Sequence, residues 1–226
     1  MSALPALSAE VFSRDPAALA GALQDCGACW ISGWPDIDLR DALREDLQRL
    51  HATGGLSPAA VGRSNGRALR NDIRADATRW LDVARCGAAA GEFLARLDRI
   101  RAMLNRNLFL GLVECEAHYA AYPPGGGYAR HRDRFRDSDA RVVSWVTYLN
   151  TDWGVDDGGA LRLYRPDAST LDESLHDERM GDESIDVPPV GGSICFLSEL
   201  EHEVLPAMRE RLSIAAWFRR TPAGLA

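Results

Sequence analysis

The sequence predicts an α+β fold, a two-layer β core with helices packed on its outside. Three observations predict it. The chain has 226 residues, enough for one domain with its own core. Apolar residues recur at helical spacing up to about residue 114, and short runs of β formers divided by turn residues take over from about 115. Hydrophobic residues make up 46% and charged residues 26%, the balance of a globular domain rather than of a disordered chain.

The elements follow in order. Asp15-Pro16 is a helix start, an N-cap followed by proline in the first turn. A second helix begins near Asp38, carries Leu39, Leu43, Leu47 and Leu50 on one stripe, and stops at Thr53-Gly54-Gly55. A third covers about 90–112, with Phe93, Leu97, Ile100, Leu104 and Leu108 on one face. Between them, 56–81 is polar and glycine-bearing and reads as a β-hairpin or a mobile loop. Strands follow at 117–122, 128–133, 142–149, 160–164, 193–197 and 212–218. Proline- and glycine-rich turns separate them, which indicates a sandwich or barrel. The acidic segment 167–184 reads as a solvated loop. The chain thus divides into helices and a loop segment over 1–114, a β core over 115–219 and a tail over 220–226, one compact domain overall.

Charge and cysteines exclude several classes. A net charge of −7 gives no basic footprint for nucleic acid. No apolar run of about 18 residues exists to span a membrane. The N-terminus, Met1-Ser2-Ala3-Leu4-Pro5, has no secretory pattern. Five cysteines, an odd number without framework spacing, fit a reducing cytoplasm. Cys26-Gly27-Ala28-Cys29 reads as small residues entering a strand rather than as a redox or zinc motif. All 26 basic residues are arginine, which suggests the codon usage of a GC-rich bacterial genome.

The chemistry lies in the β half. His131-Arg132-Asp133 is H-x-D, and on a strand residues i and i+2 point to the same face. An imidazole and a carboxylate can therefore converge on one metal. His202, just beyond an apolar strand, is the candidate third ligand. Two histidines and a carboxylate form the facial triad of non-heme Fe(II) oxygenases, which leaves coordination positions open. Arg211 opens the last strand, where Arg211, Ser213, Ala215 and Trp217 share one face. An arginine facing a core needs an anion. A dicarboxylate held bidentately would supply it; an edge ion pair with Glu201, Glu203 or Glu210 is the plainer alternative.

Five segments together resemble the prolyl-hydroxylase-domain branch of the 2-oxoglutarate/Fe(II) dioxygenases, which includes the hypoxia-inducible-factor prolyl hydroxylases and bacterial relatives. They are Tyr122-Pro123-Pro124-Gly125-Gly126-Gly127-Tyr128-Ala129-Arg130-His131-Arg132-Asp133; Tyr148-Leu149-Asn150 with Asp152-Trp153; Asp157-Gly158-Gly159-Ala160-Leu161-Arg162; His202-Glu203-Val204 with Pro206-Ala207; and Arg211, Ile214 and Trp217-Phe218. Ile73-Arg74, Asp76 and Trp80-Leu81 extend the likeness into the N-terminal half, with Ala75 in place of the usual glycine and one extra residue before Trp80.

The resemblance implies a double-stranded β-helix, or jelly roll, with supporting helices. It makes His131, Asp133 and His202 the Fe(II) ligands. Arg211 and Tyr148 would hold the distal carboxylate of 2-oxoglutarate, and Tyr122 would lie near its metal-binding end. Trp217, Arg74, Asp76 and Arg141 fall among substrate-binding positions, with 63–80 as a lid and 130–141 as a charged rim. The implied reaction consumes 2-oxoglutarate and dioxygen, releases succinate and CO2, and hydroxylates a C–H bond. Asp133 favours hydroxylation over halogenation, because halogenating relatives lack that carboxylate. The implied partner is a protein or peptide carrying a proline, with elongation factor Tu a target class in bacteria. A small-molecule oxygenase and a non-catalytic jelly-roll module are the alternatives.

Overall fold

A computed structural model describes residues 4–59, 70, 72–134, 138–164 and 183–221. Residues 60–69 and 71, the stretch 135–137, nearly all of the acidic segment 167–184 and most of the tail lie outside the described residues. So does most of the expected lid ahead of residue 72.

Along the described chain come β1 (Ala6–Ser8), α1 (Ala9–Arg14), α2 (Ala17–Cys26), β2 (Ala28–Ser32), α3 (Ile37–Ala52), β3 (Ser57–Pro58) and β4 (Ala77–Trp80). The one-turn α4 (Val83–Cys86) and the long α5 (Ala88–Leu108) lead into β5 (Glu114–Tyr122), β6 (Tyr128–His131) and β7 (Arg141–Tyr148). Then follow β8 (Leu161–Tyr164), β9 (Ser184–Val187), β10 (Gly192–Leu197), β11 (His202–Val204) and β12 (Arg211–Arg219).

Local chemistry sets the helix ends. Asp36 caps α3 by accepting the Leu39 N–H at 3.1 Å, so the helix starts ahead of Asp38. Ser8 caps α1, a short helix that the periodicity did not reveal. Gly27, left-handed at φ 72°, ends α2 and passes the chain to β2. The C-x-x-C pair is thereby split between a helix end and a buried strand position, as its small residues suggested. α5 stops at Leu108, the last residue of its apolar stripe and short of the expected 112, because Phe109 adopts φ 53° and bonds back to Asn105.

The strands form an eight-stranded sheet, β1-β2-β10-β7-β12-β5-β4-β3, and a four-stranded sheet, β6-β11-β8-β9. The segment 56–81, open between hairpin and loop in the sequence, supplies β3 and β4, an antiparallel pair that extends the larger sheet beyond β5. Two cores result. The buried stripes of α3 and α5 pack with Ile31, Tyr119, Trp145, Leu212, Ile214 and Phe218 on the outer face of the large sheet. Tyr122, Tyr148, Leu161, Leu163, Ile194, Phe196 and Val204 fill the space between the sheets. This is the jelly roll with helices outside. β12 obeys the alternation read from sequence: Leu212, Ile214, Ala216 and Phe218 enter the helix-side core, while Arg211, Ser213, Ala215 and Trp217 line a pocket between the sheets. Among the described residues, no helix is long and apolar enough to cross a membrane.

Candidate active site

His131, Asp133 and His202 meet at one end of that pocket, with their ligand atoms within 4.8 Å of one another. His131 ends β6 and His202 begins β11, and the two are cross-strand partners. Asp133 Oδ1 lies 3.7 Å from His131 Nε2, and Oδ2 lies 3.5 Å from His202 Nε2.

Each ring is oriented by its other nitrogen. His131 Nδ1 donates to the Ala129 carbonyl at 2.8 Å, and His202 Nδ1 donates to the Leu200 carbonyl at 2.9 Å. A carbonyl only accepts, so both Nδ1 atoms carry the proton and both Nε2 lone pairs turn inward. Asp133 accepts from the Ser144 hydroxyl at 2.7 Å, and Ser144 is linked to Ser198 at 2.9 Å. Burial first, and His202 second, push the His131 pKa down to about 3, which keeps its lone pair available. Burial opposes charge on Asp133, but His202, His131, Arg141 and the Ser144 hydroxyl outweigh it and hold the carboxyl below the usual carboxylate range. Two imidazoles and one carboxylate suit Fe(II) as a donor set.

Arg211 lines the same pocket, 1% exposed. Its Nε donates to the Gly159 carbonyl at 2.8 Å and its Nη1 to Ser213 Oγ at 3.1 Å. None of the three glutamates weighed as ion-pair partners takes it; Glu201 and Glu203 bind other arginines, and Glu210 binds His51. Arg211 Nη2 and the Tyr148 hydroxyl are buried without a hydrogen-bond partner among the described residues. The guanidinium carbon lies 5.2 Å from the Tyr122 ring centroid and 5.3 Å from that of Tyr148. Two buried polar groups on neighbouring side chains, one of them a guanidinium with no carboxylate partner among the described residues, fit the carboxylate of a dicarboxylic acid. Gly159 permits the arrangement: at φ 70° a Cβ there would stand 2.9 Å from Ala207 Cβ and 3.2 Å from Arg211 Cδ.

Of the expected substrate residues, Arg74 and Trp217 line the pocket, whereas Asp76 and Arg141 do not and touch it only through those two. Arg74 lines it and lays its guanidinium over Tyr128 at 4.9 Å. Asp76, its side chain wholly buried, accepts from Arg74 at 2.6 and 2.8 Å and reaches the pocket only through that partner. Trp217 is in the wall, with Nε1 buried and unpartnered among the described residues. Arg141 covers the Trp217 ring at 3.7 Å and binds Glu116 at 2.7 Å. In the rim, Arg130 and Arg132 pair with Glu201 and Arg134 with Glu199.

Three pocket residues escaped the sequence reading. Tyr128 stacks on His131 with centroids 3.6 Å apart. Ser144 holds Asp133, and His118 lies in the wall near Arg74. Strand alternation backward from Tyr122 through Ala120 reaches His118, a signal the sequence did contain.

A sequence profile described as the 2OG-Fe(II) oxygenase superfamily matches residues 117–219. The human protein Prolyl hydroxylase EGLN3 is 26% identical over 204 residues, 87% of this chain and 80% of that protein. A crystal structure of a Pseudomonas putida prolyl-4-hydroxylase superposes with a TM-score of 0.77 and 41% identity, over 92% of this chain and 100% of that one. A Trichoplax adhaerens prolyl hydroxylase, solved with a hypoxia-inducible-factor peptide fragment, gives a TM-score of 0.74 at 25% identity, over 89% of this chain and 87% of that one. Carrying this fold, this donor set and 41% identity across the whole of a solved relative, the chain belongs to the prolyl-hydroxylase branch of the 2-oxoglutarate/Fe(II)-dependent dioxygenases, enzymes that use Fe(II), 2-oxoglutarate and dioxygen.

Proposed function

We propose that the protein hydroxylates a prolyl residue of a protein or peptide substrate. His131 Nε2, Asp133 and His202 Nε2 hold Fe(II). Arg211 and Tyr148 take the distal carboxylate of 2-oxoglutarate, and Tyr122 lies toward the metal-binding end. Fe(II), when bound, would activate dioxygen, the oxidant: 2-oxoglutarate gives two electrons and takes one oxygen atom on becoming succinate and CO2, and the substrate C–H bond gives two and takes the other as hydroxyl.

The chain's own residues bind, orient and exclude water. The Ala129 and Leu200 carbonyls fix the two imidazoles, and Ser144 fixes the carboxylate. The aromatic side chains of Tyr122, Tyr128 and Trp217 shield the reacting centre from solvent. Arg74, Trp217 Nε1–H and Arg141 face the peptide, and Asp76 holds Arg74.

The observation that carries this reading is one pocket lined both by the His-Asp-His cluster and by Arg211, whose buried Nη2 has no hydrogen-bond partner among the described residues. Anaerobic reconstitution with Fe(II) and 2-oxoglutarate, followed by exposure to bacterial lysate in air and mass spectrometry of proline residues, tests it. Elongation factor Tu is the first protein to inspect. A hydroxylated proline dependent on 2-oxoglutarate is expected. Succinate release stimulated by free amino acids or other small molecules, with no protein modified, would replace this reading with the small-molecule one.

A further inference from the structure

The pocket contains a third imidazole that the reaction described so far does not use. His118 is 3% exposed and lies on β5, two positions before Ala120 and four before Tyr122, on the same strand face. Its ring stands between Trp80, at 5.1 Å and 90°, and Trp217, at 5.2 Å and 53°.

The tautomer follows from its contacts. His118 Nδ1 lies 3.0 Å from the Tyr119 carbonyl oxygen, which only accepts, so Nδ1 carries the proton. The lone pair is then on Nε2, 3.4 Å from Arg74 Nη2, which only donates. Burial first, and the Arg74 charge second, hold the imidazole pKa down to about 4 against the opposing pull of Asp76, with Arg141 adding to the depression. The ring is a neutral acceptor at neutral pH.

Arg74 needs such an acceptor. Asp76, its bidentate partner, is only two residues away on the same stretch of chain. Tyr128 offers Arg74 its ring face and a side-chain hydrogen bond, but from the short strand β6. His118 comes from the middle of the large sheet, between β4 and β12, and ties the guanidinium to a rigid element.

We propose that His118 is a positioning residue: as a neutral acceptor on β5 it fixes the Arg74 guanidinium in the pocket, presented to a backbone carbonyl of the peptide substrate. This rests on the peptide-hydroxylase reading above. An apolar side chain at the same place leaves a buried Arg74 N–H without an acceptor, and a cationic one repels it.

Nitrogen-15 NMR of the full chain tests the tie without any substrate. The expected His118 signal is the neutral Nδ1–H tautomer, with an Arg74 Nη2–H slow to exchange. His118→Met should speed Arg74 exchange about tenfold, and His118→Gln, which keeps an acceptor, should restore most of the protection. With a library of capped peptides holding one central proline in randomised flanks, His118→Met should raise KM about tenfold, change kcat less than about twofold and be rescued by Gln. An Nε2–H tautomer, or equal Arg74 protection in the wild type and His118→Met, overturns the proposal. If His118→Met does not fold, the wild-type tautomer and the Gln variant decide. Failure of the wild type to hydroxylate any library member counts against the peptide reading, while the exchange rates still judge His118.

Discussion

His131 and His202 are direct cross-strand partners on β6 and β11, with ring centroids 4.3 Å apart. β11 is only three residues long and its register with β6 shifts just after His202. The irregularity costs little, because the strand's task is to deliver one imidazole opposite another. Substituting either histidine, or Asp133, by Ala removes one of three protein ligands. Each variant should lose Fe(II) binding in anaerobic calorimetry together with all 2-oxoglutarate turnover. Wild-type iron affinity in His202→Ala would show that the cluster is not the metal site.

Ser144 predicts a graded effect. Its hydroxyl donates to Asp133 and thereby aims the carboxylate. Ser144→Ala should weaken metal affinity about tenfold, the usual cost of removing a partner of a metal ligand. The fold should be unchanged, because Ala fits where Ser is buried. Metal titration monitored by Tyr and Trp fluorescence provides the measurement, and an unchanged dissociation constant would deny Ser144 its orienting role.

Arg211 and Gly159 form a unit for the cosubstrate. Arg211→Ala should raise the 2-oxoglutarate requirement steeply with iron affinity nearly intact, and Lys should rescue only partly because the planar fork is lost. Gly159→Ala should do the same more mildly, since its Cβ meets Ala207 Cβ and crowds Arg211 Cδ. Ala207→Gly added to Gly159→Ala removes that nearest clash and should recover part of the affinity. Calorimetry with 2-oxoglutarate would reject the unit if Gly159→Ala bound it as the wild type does.

The metal cluster was legible because strand alternation turns H-x-D into a same-face pair, and Arg211 because an arginine on a core-facing row needs an anion, although only the structure shows Glu201, Glu203 and Glu210 paired elsewhere. His118 was not legible as functional. It sits in an apolar β run where a buried histidine is unremarkable, and its partner Arg74 comes from a segment distant in sequence. Asp76 was read as facing a partner, yet the side chain is wholly buried against Arg74. Only the pairing of β4 with β5 decides that, and β4 is too short for periodicity to reveal.

The stability of the protein without metal should depend on pH through His118. The unfolded chain takes up a proton at this imidazole below about pH 6.5, whereas the folded chain refuses it down to about pH 4. The unfolded state binds more protons across that interval, so stability falls as pH falls through it. For a group 3% exposed, the contribution is on the order of 3 kcal/mol. Urea midpoints measured from pH 7 to pH 4 should therefore slope less in His118→Met than in the wild type. Parallel slopes would place the acid sensitivity elsewhere.

Asp76 neutralises a guanidinium whose side chain is only 16% exposed. Removing one member of such a pair leaves the other charge uncompensated, so Asp76→Ala should cost about 3–5 kcal/mol. Replacing both members with apolar groups avoids that penalty, and Asp76→Ala combined with Arg74→Met should be more stable than Asp76→Ala alone. The double variant should nonetheless lose peptide hydroxylation, because the guanidinium is gone. Urea denaturation of the three proteins separates the stability effect from the recognition effect. If the double variant is no more stable than Asp76→Ala, the loss comes from the packing of Asp76 itself and not from a stranded charge on Arg74.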